Sequence, residues 1–265
     1  MSLLHPRPLR GRLDAVAQPY GQSVLGAPLL WFPAPMADEE SGLILAGTHG
    51  DENAAVVTLS CAMRTLQDSH RRHHVVLAVN PDGCQLGLRA NANGVDLNRN
   101  FPAANWQPGD TVYRWNSAAD ERDVQLSTGD FAASEPETKA LCQLIHQIAP
   151  AWIVSFHEPL ACIEDPDSSP LGHWLASKTG LPLVTSVGYA TPGSFGSWCA
   201  DLDMPCITAE FPPISATRPP NSISAPWWIY SAGSRDSSIR PQLNGNTGSA
   251  STASQVGPSR STKRA

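Results

Sequence analysis

The sequence predicts an α/β protein with a mixed, largely parallel twisted sheet and helices on both faces. Continuous apolar runs such as residues 75–79 are typical of strands that are buried on both faces. Segments with helical spacing of apolar residues separate these runs, and that alternation indicates a parallel sheet. Ligands bind beyond the carboxyl ends of such strands, so the polar residues that follow each strand are candidate site residues.

Composition limits the classes of partner. The chain has 265 residues, of which 41% are hydrophobic and 16% charged, values that fit one soluble domain with a sizeable core. The net charge of −6 argues against nucleic acid or an anionic membrane as the main partner. No apolar run approaches the roughly 20 residues of a membrane span. The N-terminus lacks the apolar region of a secretory signal.

The six cysteines include no Cys-x-x-Cys pair, and most lie in apolar segments. This pattern favours buried free thiols in a reducing compartment over disulfides. Together with the missing secretory signal, it predicts a cytoplasmic protein.

The N-terminal half of the chain supplies strands and one helix. Residues 18–32 alternate small and apolar side chains, which indicates an edge strand or a hairpin. Residues 43–47 form a predicted strand that runs into a glycine-punctuated turn, and the helix that follows covers residues 54–66. The next strand is predicted at residues 75–79.

Four polar segments are predicted to lie outside these elements. The basic segment 70–74, with its three histidines, is predicted as a solvated loop. Residues 80–83 have the composition of a turn. Residues 105–129 are predicted as a long surface loop, and residues 189–198 as a glycine-rich loop.

The C-terminal half supplies two helices with clear end signals. Ser134 and Glu137 have the spacing of a capping box, and Pro150 ends the helix that they open. A serine–proline pair beginning at Ser169 opens the second helix, which Gly180 ends. The remaining apolar runs predict strands at residues 152–156, 183–186 and 207–209.

The composition also divides the chain into three parts. Residues 1–17 are an N-terminal extension, and residues 18–215 form the predicted main domain. Residues 216–265 are rich in serine and arginine, contain a single acid, Asp236, and show no periodicity. We predict this tail to be disordered.

Three residues form a candidate zinc site. His49 and Glu52 stand three apart across the turn after a strand, so an imidazole and a carboxylate can converge there, although a solvated turn has the same pattern. His157, at the end of another strand, completes a His₂Glu set unless it only hydrogen-bonds the backbone. Glu210, flanked by apolar residues at a third strand end, is the candidate general base.

Polar residues between the strands are candidates for substrate binding. Arg89 and Arg99, with Asn98 beside the latter, can bind a carboxylate and stabilise an oxyanion. Alternatively, both arginines pair with Asp82 or Asp96 on the surface. A further alternative for Asp96 is that it accepts a hydrogen bond from His49 and so fixes the orientation of that ring. Tyr189 lies in the glycine-rich loop and is predicted either to cover the substrate as a lid or to serve in packing.

The chain resembles the zinc metallocarboxypeptidase family. The resemblance is carried by His49-x-x-Glu52, Asn80-Pro81-Asp82-Gly83, Asp96-Leu97-Asn98-Arg99-Asn100-Phe101, Ser155-Phe156-His157 and Thr208-Ala209-Glu210, in the family's order. It implies a zinc carboxypeptidase-like fold with one Zn²⁺ per chain, held by His49, Glu52 and His157. It also implies that Glu210 is the general base and that Arg89 contacts the carbonyl oxygen. Asn98 and Arg99 then bind the substrate carboxylate, and Tyr189 is the mobile tyrosine.

Within the family, the chain looks most similar to bacterial cytoplasmic amidases that act on murein peptides. That resemblance implies hydrolysis of the γ-D-glutamyl-meso-diaminopimelate amide bond during recycling of cell-wall peptides. Glu158, Glu164 and Asp165 are candidates to bind the second ammonium of diaminopimelate, or they form a solvated acidic loop. The oligomeric state stays open, with a homodimer as one alternative.

One departure from the family concerns the C-terminal end of the chain. The family continues after Ser215 into a C-terminal helix, whereas this chain continues into the serine-rich tail around Trp227-Trp228. An altered end of this kind predicts an exposed docking face and lower stability. This altered end leaves open a peptide-binding protein without turnover. A second alternative is a zinc acylase of the aspartoacylase type, which shares the His-x-x-Glu and Asp-Leu-Asn-Arg features.

Overall fold

The computed structural model describes residues 4–114 and 123–213 and confirms the predicted fold. Its centre is a six-stranded sheet with the order β4-β3-β7-β10-β8-β9. The strands are β1 (Gln18–Gln22), β2 (Pro28–Trp31), β3 (Leu43–Leu45), β4 (His74–Val76), β5 (Asp110–Arg114), β6 (Asp123–Ser127), β7 (Ile153–His157), β8 (Cys162–Glu164), β9 (Leu183–Val184) and β10 (Cys206–Glu210). The α-helices are α1 (Asn53–Thr65), α2 (Pro81–Leu86), α3 (Pro136–Ile148), α4 (Pro170–Thr179) and α5 (Phe195–Asp201).

The sheet is mixed but largely parallel. Strands β4, β3, β7 and β10 run parallel, β8 is antiparallel to β10, and β9 is parallel to β8. All five residues of the central strand β7 are buried, because helices cover both faces of the sheet. Residues 18–32 form the predicted hairpin, with β1 antiparallel to β2.

Successive residues of β3 point into two different cores, as the alternation of a strand requires. Ile44 lies in one cluster with Leu59 of α1 and Leu175 of α4. Leu43 lies in the other cluster with Leu141 of α3 and Trp198 of α5. The helices therefore sandwich the sheet as predicted.

The end signals of the helices were correct for both ends of α4 and for the end of α3 before Pro150, and wrong for the start of α3. Helix α4 follows its N-cap Ser169, whose side chain accepts from the Gly172 N–H, and its C-cap is Gly180 in the left-handed conformation, as predicted. The capping box of Ser134 and Glu137 does not form. The N-cap of α3 is Glu135, without a side-chain cap, and Pro136 begins the helix with its fixed φ.

Three predicted loops contain regular structure. Within residues 105–129, strands β5 and β6 form an antiparallel pair. Within residues 189–198, helix α5 begins at Phe195 after the Ser194 N-cap. Asn80 does not start an isolated turn, because its side chain accepts from the Gly83 N–H and caps α2. Asn and Ser favour both turns and helix N-caps, which explains the errors at α2 and α5.

The predicted solvated histidine loop is also wrong for two of its histidines. His73 and His74 are buried, whereas His70 is exposed. The cause is Arg71, which is 2% exposed and donates to the carbonyl oxygens of Phe32 and Pro33. These hydrogen bonds hold the segment against the sheet.

Residues 4–17 contact α1, for example through the Arg64 guanidinium, which donates to the Arg10 carbonyl at 3.0 Å. The tail predicted at residues 216–265 lies outside the described residues, so the three-part division of the chain stays a prediction. In the part of the chain that the structure describes, none of the helices has the length and apolar composition needed to cross a bilayer.

Candidate active site

The three predicted metal ligands converge at the carboxyl ends of β3 and β7. One donor atom from each of His49, Glu52 and His157 lies within 4.8 Å of the other two, and all three residues are buried. Glu52 lies between the histidines: its Oε1 is 2.7 Å from His49 Nδ1, and its Oε2 is 3.0 Å from His157 Nδ1. Two imidazole nitrogens and a carboxylate are a donor set typical of catalytic zinc.

Two glycines shape the turn that carries His49 and Glu52. Gly47 adopts φ +67°, in the left-handed region that favours glycine. Gly50 lies so close to α2 that a Cβ there would overlap the backbone of Gly83 and Cys84. Residue 50 must therefore be glycine so that the turn can pack against the backbone of α2. The sequence predicted only a tight turn here and did not show this contact.

Asp96 fixes the orientation of the His49 ring, as one of the sequence alternatives predicted. Its Oδ1 lies 3.2 Å from His49 Nε2, and it also accepts from the Asn98 N–H at 2.9 Å. A proton on Nε2 held by Asp96 leaves the Nδ1 lone pair directed at Glu52 and His157. Such a carboxylate partner sets the tautomer and raises the basicity of a ligating histidine.

The surroundings of the cluster favour a cation. Burial and Arg89 act to lower the pKa of His49, yet Glu52 and Asp96 together raise this pKa to about 9. Burial acts to raise the pKa of Glu52, but the two histidines hold this pKa well below its usual range. Two buried carboxylates around the imidazoles thus stabilise positive charge at this point, which is what a divalent metal site requires.

Glu210 lies beside the cluster. It is 9% exposed, and its Oε2 accepts from the Leu160 N–H at 3.3 Å. Burial raises the pKa of Glu210, with His157 opposing and Glu52 adding to the rise. A partly desolvated carboxylate with a raised pKa has the properties of a general base, because it is more basic than an exposed carboxylate.

The structure decides between the predicted partners of Arg89. Its Nη1 donates to Glu52 at 2.9 Å and its Nε lies 3.4 Å from Asp96, whereas Asp82 instead accepts from Ser23 and the Leu25 N–H. Arg89 therefore contacts Asp96, one of the two partners considered, but Asp96 is buried instead of lying on the surface, and the shorter contact of Arg89 is to Glu52. The same contacts place its guanidinium next to the candidate metal ligands.

The other predicted substrate-binding residues lie near the cluster, beside Asp96 or Glu210. Asn98 Oδ1 accepts from the Phe195 N–H at 2.9 Å, which ties the segment to α5. Arg99 Nη1 donates to the Asn98 carbonyl at 2.6 Å. Tyr189 is 56% exposed, and burial followed by the Glu210 carboxylate raises its pKa, with Arg99 and Arg89 opposing. Tyr189 is thus within electrostatic range of both arginines and of Glu210.

One backbone group completes the surroundings of Glu52. The N–H of Glu158, the residue after His157, donates to Glu52 Oε2 at 3.1 Å. No sequence signal could have identified this donor, because it depends on the direction of the main chain after β7. The described residues therefore fit one divalent zinc, with oriented donors and anionic surroundings.

Known proteins resemble this chain over most of its length. It is 75% identical over 216 residues to murein peptide amidase A of Escherichia coli K12, covering 82% of this chain and 89% of that protein. It is 54% identical over 213 residues to murein peptide amidase A of Vibrio campbellii, covering 80% and 86% respectively.

Solved structures agree with this similarity. The crystal structure of murein-tripeptide amidase from Escherichia coli O157 superposes with a TM-score of 0.82 at 71% identity, covering 87% of this chain and 96% of that one. Thrombin-activatable fibrinolysis inhibitor shares the fold, with a TM-score of 0.59 at 17% identity, covering 83% and 70%. The family model described as zinc carboxypeptidase matches residues 21–161. This chain belongs to the zinc carboxypeptidase family.

Proposed function

We propose that the protein is a zinc-dependent amidase that hydrolyses the γ-D-glutamyl-meso-diaminopimelate bond of murein peptides. The observation that carries the proposal is the buried cluster of His49, Glu52 and His157 beside Glu210, in a chain 75% identical to a murein peptide amidase. The reaction then belongs to the recycling of cell-wall peptides in the cytoplasm. Residues 18–215 supply every group that it needs.

In this proposal His49, Glu52 and His157 hold one zinc ion. Zinc in such a site supplies Lewis-acid chemistry, which polarises a carbonyl and acidifies water. Glu210 accepts a proton from the attacking water and passes it to the leaving amine of diaminopimelate. Its raised pKa suits this transfer, because the same carboxyl group must act first as a base and then as an acid.

The remaining polar residues bind and orient the substrate. Arg89, held next to the cluster by Glu52 and Asp96, directs its guanidinium toward the oxygen of the scissile carbonyl and stabilises the developing negative charge. Asn98 and Arg99 bind a carboxylate of the leaving amino acid, because a guanidinium can donate two parallel hydrogen bonds to a carboxylate. Tyr189, exposed at the rim, closes over the bound peptide and excludes water.

The family assignment favours peptide hydrolysis over the acylase alternative, and the buried donor set and base favour turnover over binding alone. The test is release of free diaminopimelate from L-Ala-γ-D-Glu-meso-diaminopimelate by the purified full chain. We expect release that stops with a zinc chelator and returns when zinc is added. Cleavage of N-acetyl-aspartate in place of the peptide would support the acylase, and tight peptide binding without release would support the binding protein.

A further inference from the structure

We infer that Glu164 binds the second ammonium group of the leaving amino acid and so selects diaminopimelate. This inference rests on the proposed function, in which the released product carries a second amino group at its far end. Three acidic residues follow His157 along the chain, namely Glu158, Glu164 and Asp165. The structure separates them by what their carboxylates already bind.

Asp165 is fully engaged inside the protein. It is 2% exposed, and its Oδ2 accepts from both the N–H and the hydroxyl of Ser169 at 2.7 Å. Its Oδ1 accepts from the Asp167 N–H at 3.2 Å. These hydrogen bonds hold the turn that leads into α4, so Asp165 is not accessible to a ligand.

Glu158 faces the first turn of α1. Its Oε1 accepts from the Ala55 N–H at 3.2 Å, where a carboxylate satisfies a free N–H and complements the helix dipole. A structural partner thus explains this residue. Glu164, by contrast, does not face α1 but lies in β8, the strand that pairs with the strand of Glu210.

Strand register places Glu164 on the same side of the sheet as Glu210. In the antiparallel pair of β8 and β10, Glu164 lies opposite Thr208, and Cys162 lies opposite Glu210. Residues opposite each other share a face, as do residues two apart along a strand. Glu164 and Glu210 are therefore diagonal neighbours on one face, about 7–8 Å apart at the backbone.

The pKa values of two nearby groups respond to the carboxylates of both Glu164 and Glu210. Burial raises the pKa of the Cys162 thiol, and Glu210 and then Glu164 add to the rise. Burial also raises the pKa of Tyr189, where Glu210 and Glu164 contribute in the same direction against Arg99 and Arg89. Glu164 therefore lies within electrostatic range of Tyr189 and on the same face of the sheet as Glu210, the proposed general base.

The carboxylate of Glu164 has room for one more partner. Its Oε1 accepts from the Val187 N–H at 3.0 Å, which fixes the side chain. Among the described residues, Oε2 has no hydrogen-bond partner, and the residue is partly exposed. An oriented carboxylate with one open oxygen suits an ammonium ion, which offers three donors.

The distance also suits diaminopimelate. Three methylene groups separate its two amino-acid ends, so with the bond lengths of extended carbon chains the second carbon that bears an amine lies about 5 Å from the first. If the scissile amide lies beside Glu210, the second ammonium can reach the carboxylate of a residue that is the diagonal neighbour of Glu210 on the adjacent strand. Glu164 occupies that position.

The test compares wild type and Glu164→Gln on two substrates. One is L-Ala-γ-D-Glu-meso-diaminopimelate, and the other carries 2-aminopimelate, which keeps both carboxylates of the leaving amino acid but lacks its second amine. Glutamine keeps an oxygen to accept from the Val187 N–H, and thermal unfolding reports whether the variant folds. Glu40→Gln, at an exposed residue in a loop, is the matched control.

We expect Glu164→Gln to lower kcat/KM for the diaminopimelate peptide by about 10- to 100-fold, mainly through KM, as loss of a charged hydrogen bond does. The 2-aminopimelate peptide should be cleaved equally by wild type and variant. An equal loss on both substrates, or no loss on either, overturns the inference while the proposed function stands. If wild type cleaves neither peptide, the proposed function fails and the inference with it.

Discussion

Glu210 and His157 lie directly opposite each other as the last pair in the parallel register of β10 and β7. The proposed base and one proposed metal ligand are therefore held by the same ladder of backbone hydrogen bonds. The register of β3 against β7 similarly fixes the strand that leads to His49. Because a slip of one residue would turn each side chain to the other face, the buried sheet sets the geometry of the site.

Replacement of Asp96 by asparagine should weaken zinc binding without removing a ligand. The neutral amide accepts less strongly from His49 Nε2 and removes a negative charge beside the cluster. Loss of such a partner typically lowers metal affinity by about 10- to 100-fold. Competition with a chromogenic chelator measures the zinc dissociation constant.

Asp82→Asn is the matched control, because Asp82 is equally buried but, among the described residues, its side chain bonds only to the hairpin through Ser23 and Leu25. We expect this variant to unfold at a lower temperature and to keep the zinc affinity of wild type. Equal zinc affinity in wild type and Asp96→Asn would contradict the role given to Asp96.

Replacement of Gly50 by alanine should destabilise the fold at the turn of the metal site. The new Cβ would overlap the backbone of Gly83 and Cys84, which cannot rotate away as a side chain can. Overpacking of this kind costs about 1–3 kcal/mol of the free energy of unfolding. Urea denaturation of the zinc-free protein measures this loss in the free energy of unfolding.

Gly196→Ala provides the comparison, since a Cβ there meets open space inside α5. Because Gly196 is the second residue of α5, alanine there should leave stability unchanged or raise it by less than about 1 kcal/mol. If Gly50→Ala proves as stable as Gly196→Ala, the close approach of the turn and α2 is not required.

His73 should make stability fall in mild acid. Burial, followed by Arg72, lowers the pKa of His73 to about 4, below its value of about 6.5 in an unfolded chain. Between these two values the unfolded state binds a proton that the folded state does not. The free energy of unfolding should therefore be highest above pH 6.5 and decrease by about 1.4 kcal/mol per pH unit toward pH 4, or by about 3 kcal/mol in total.

His73→Asn removes this titration while its side-chain oxygen can still accept from the Gly42 N–H, as His73 Nδ1 does. Denaturant unfolding between pH 7 and pH 4 should show a shallower pH dependence for the variant than for wild type. His70→Asn, at an exposed histidine, should match wild type. Parallel pH curves for wild type and His73→Asn would show that His73 does not titrate as described.

The strands and site motifs were the most predictable parts of the chain. Buried parallel strands give continuous apolar runs, so β7 and β10 were identified together with His157 and Glu210 at their ends. The helix signals of Ser169 and Gly180 are local and were also correct. Such features depend on near neighbours in the sequence.

Features that depend on distant contacts were missed. His73 and His74 looked solvated because the sequence does not show that the Arg71 guanidinium would reach the carbonyls of Phe32 and Pro33. Likewise, the overlap that excludes a side chain at Gly50 arises from α2. The choice of Glu164 over Asp165 required the register of β8 and the hydrogen bonds of Ser169.

The most direct test of the account measures zinc content and diaminopimelate release for Glu210→Gln and wild type together. We predict that both proteins hold one zinc per chain and that the variant releases diaminopimelate about 10²- to 10⁴-fold more slowly, as expected for loss of a general base. A variant that keeps its zinc and cleaves the tripeptide at the wild-type rate would contradict the role of Glu210 and with it the proposed mechanism.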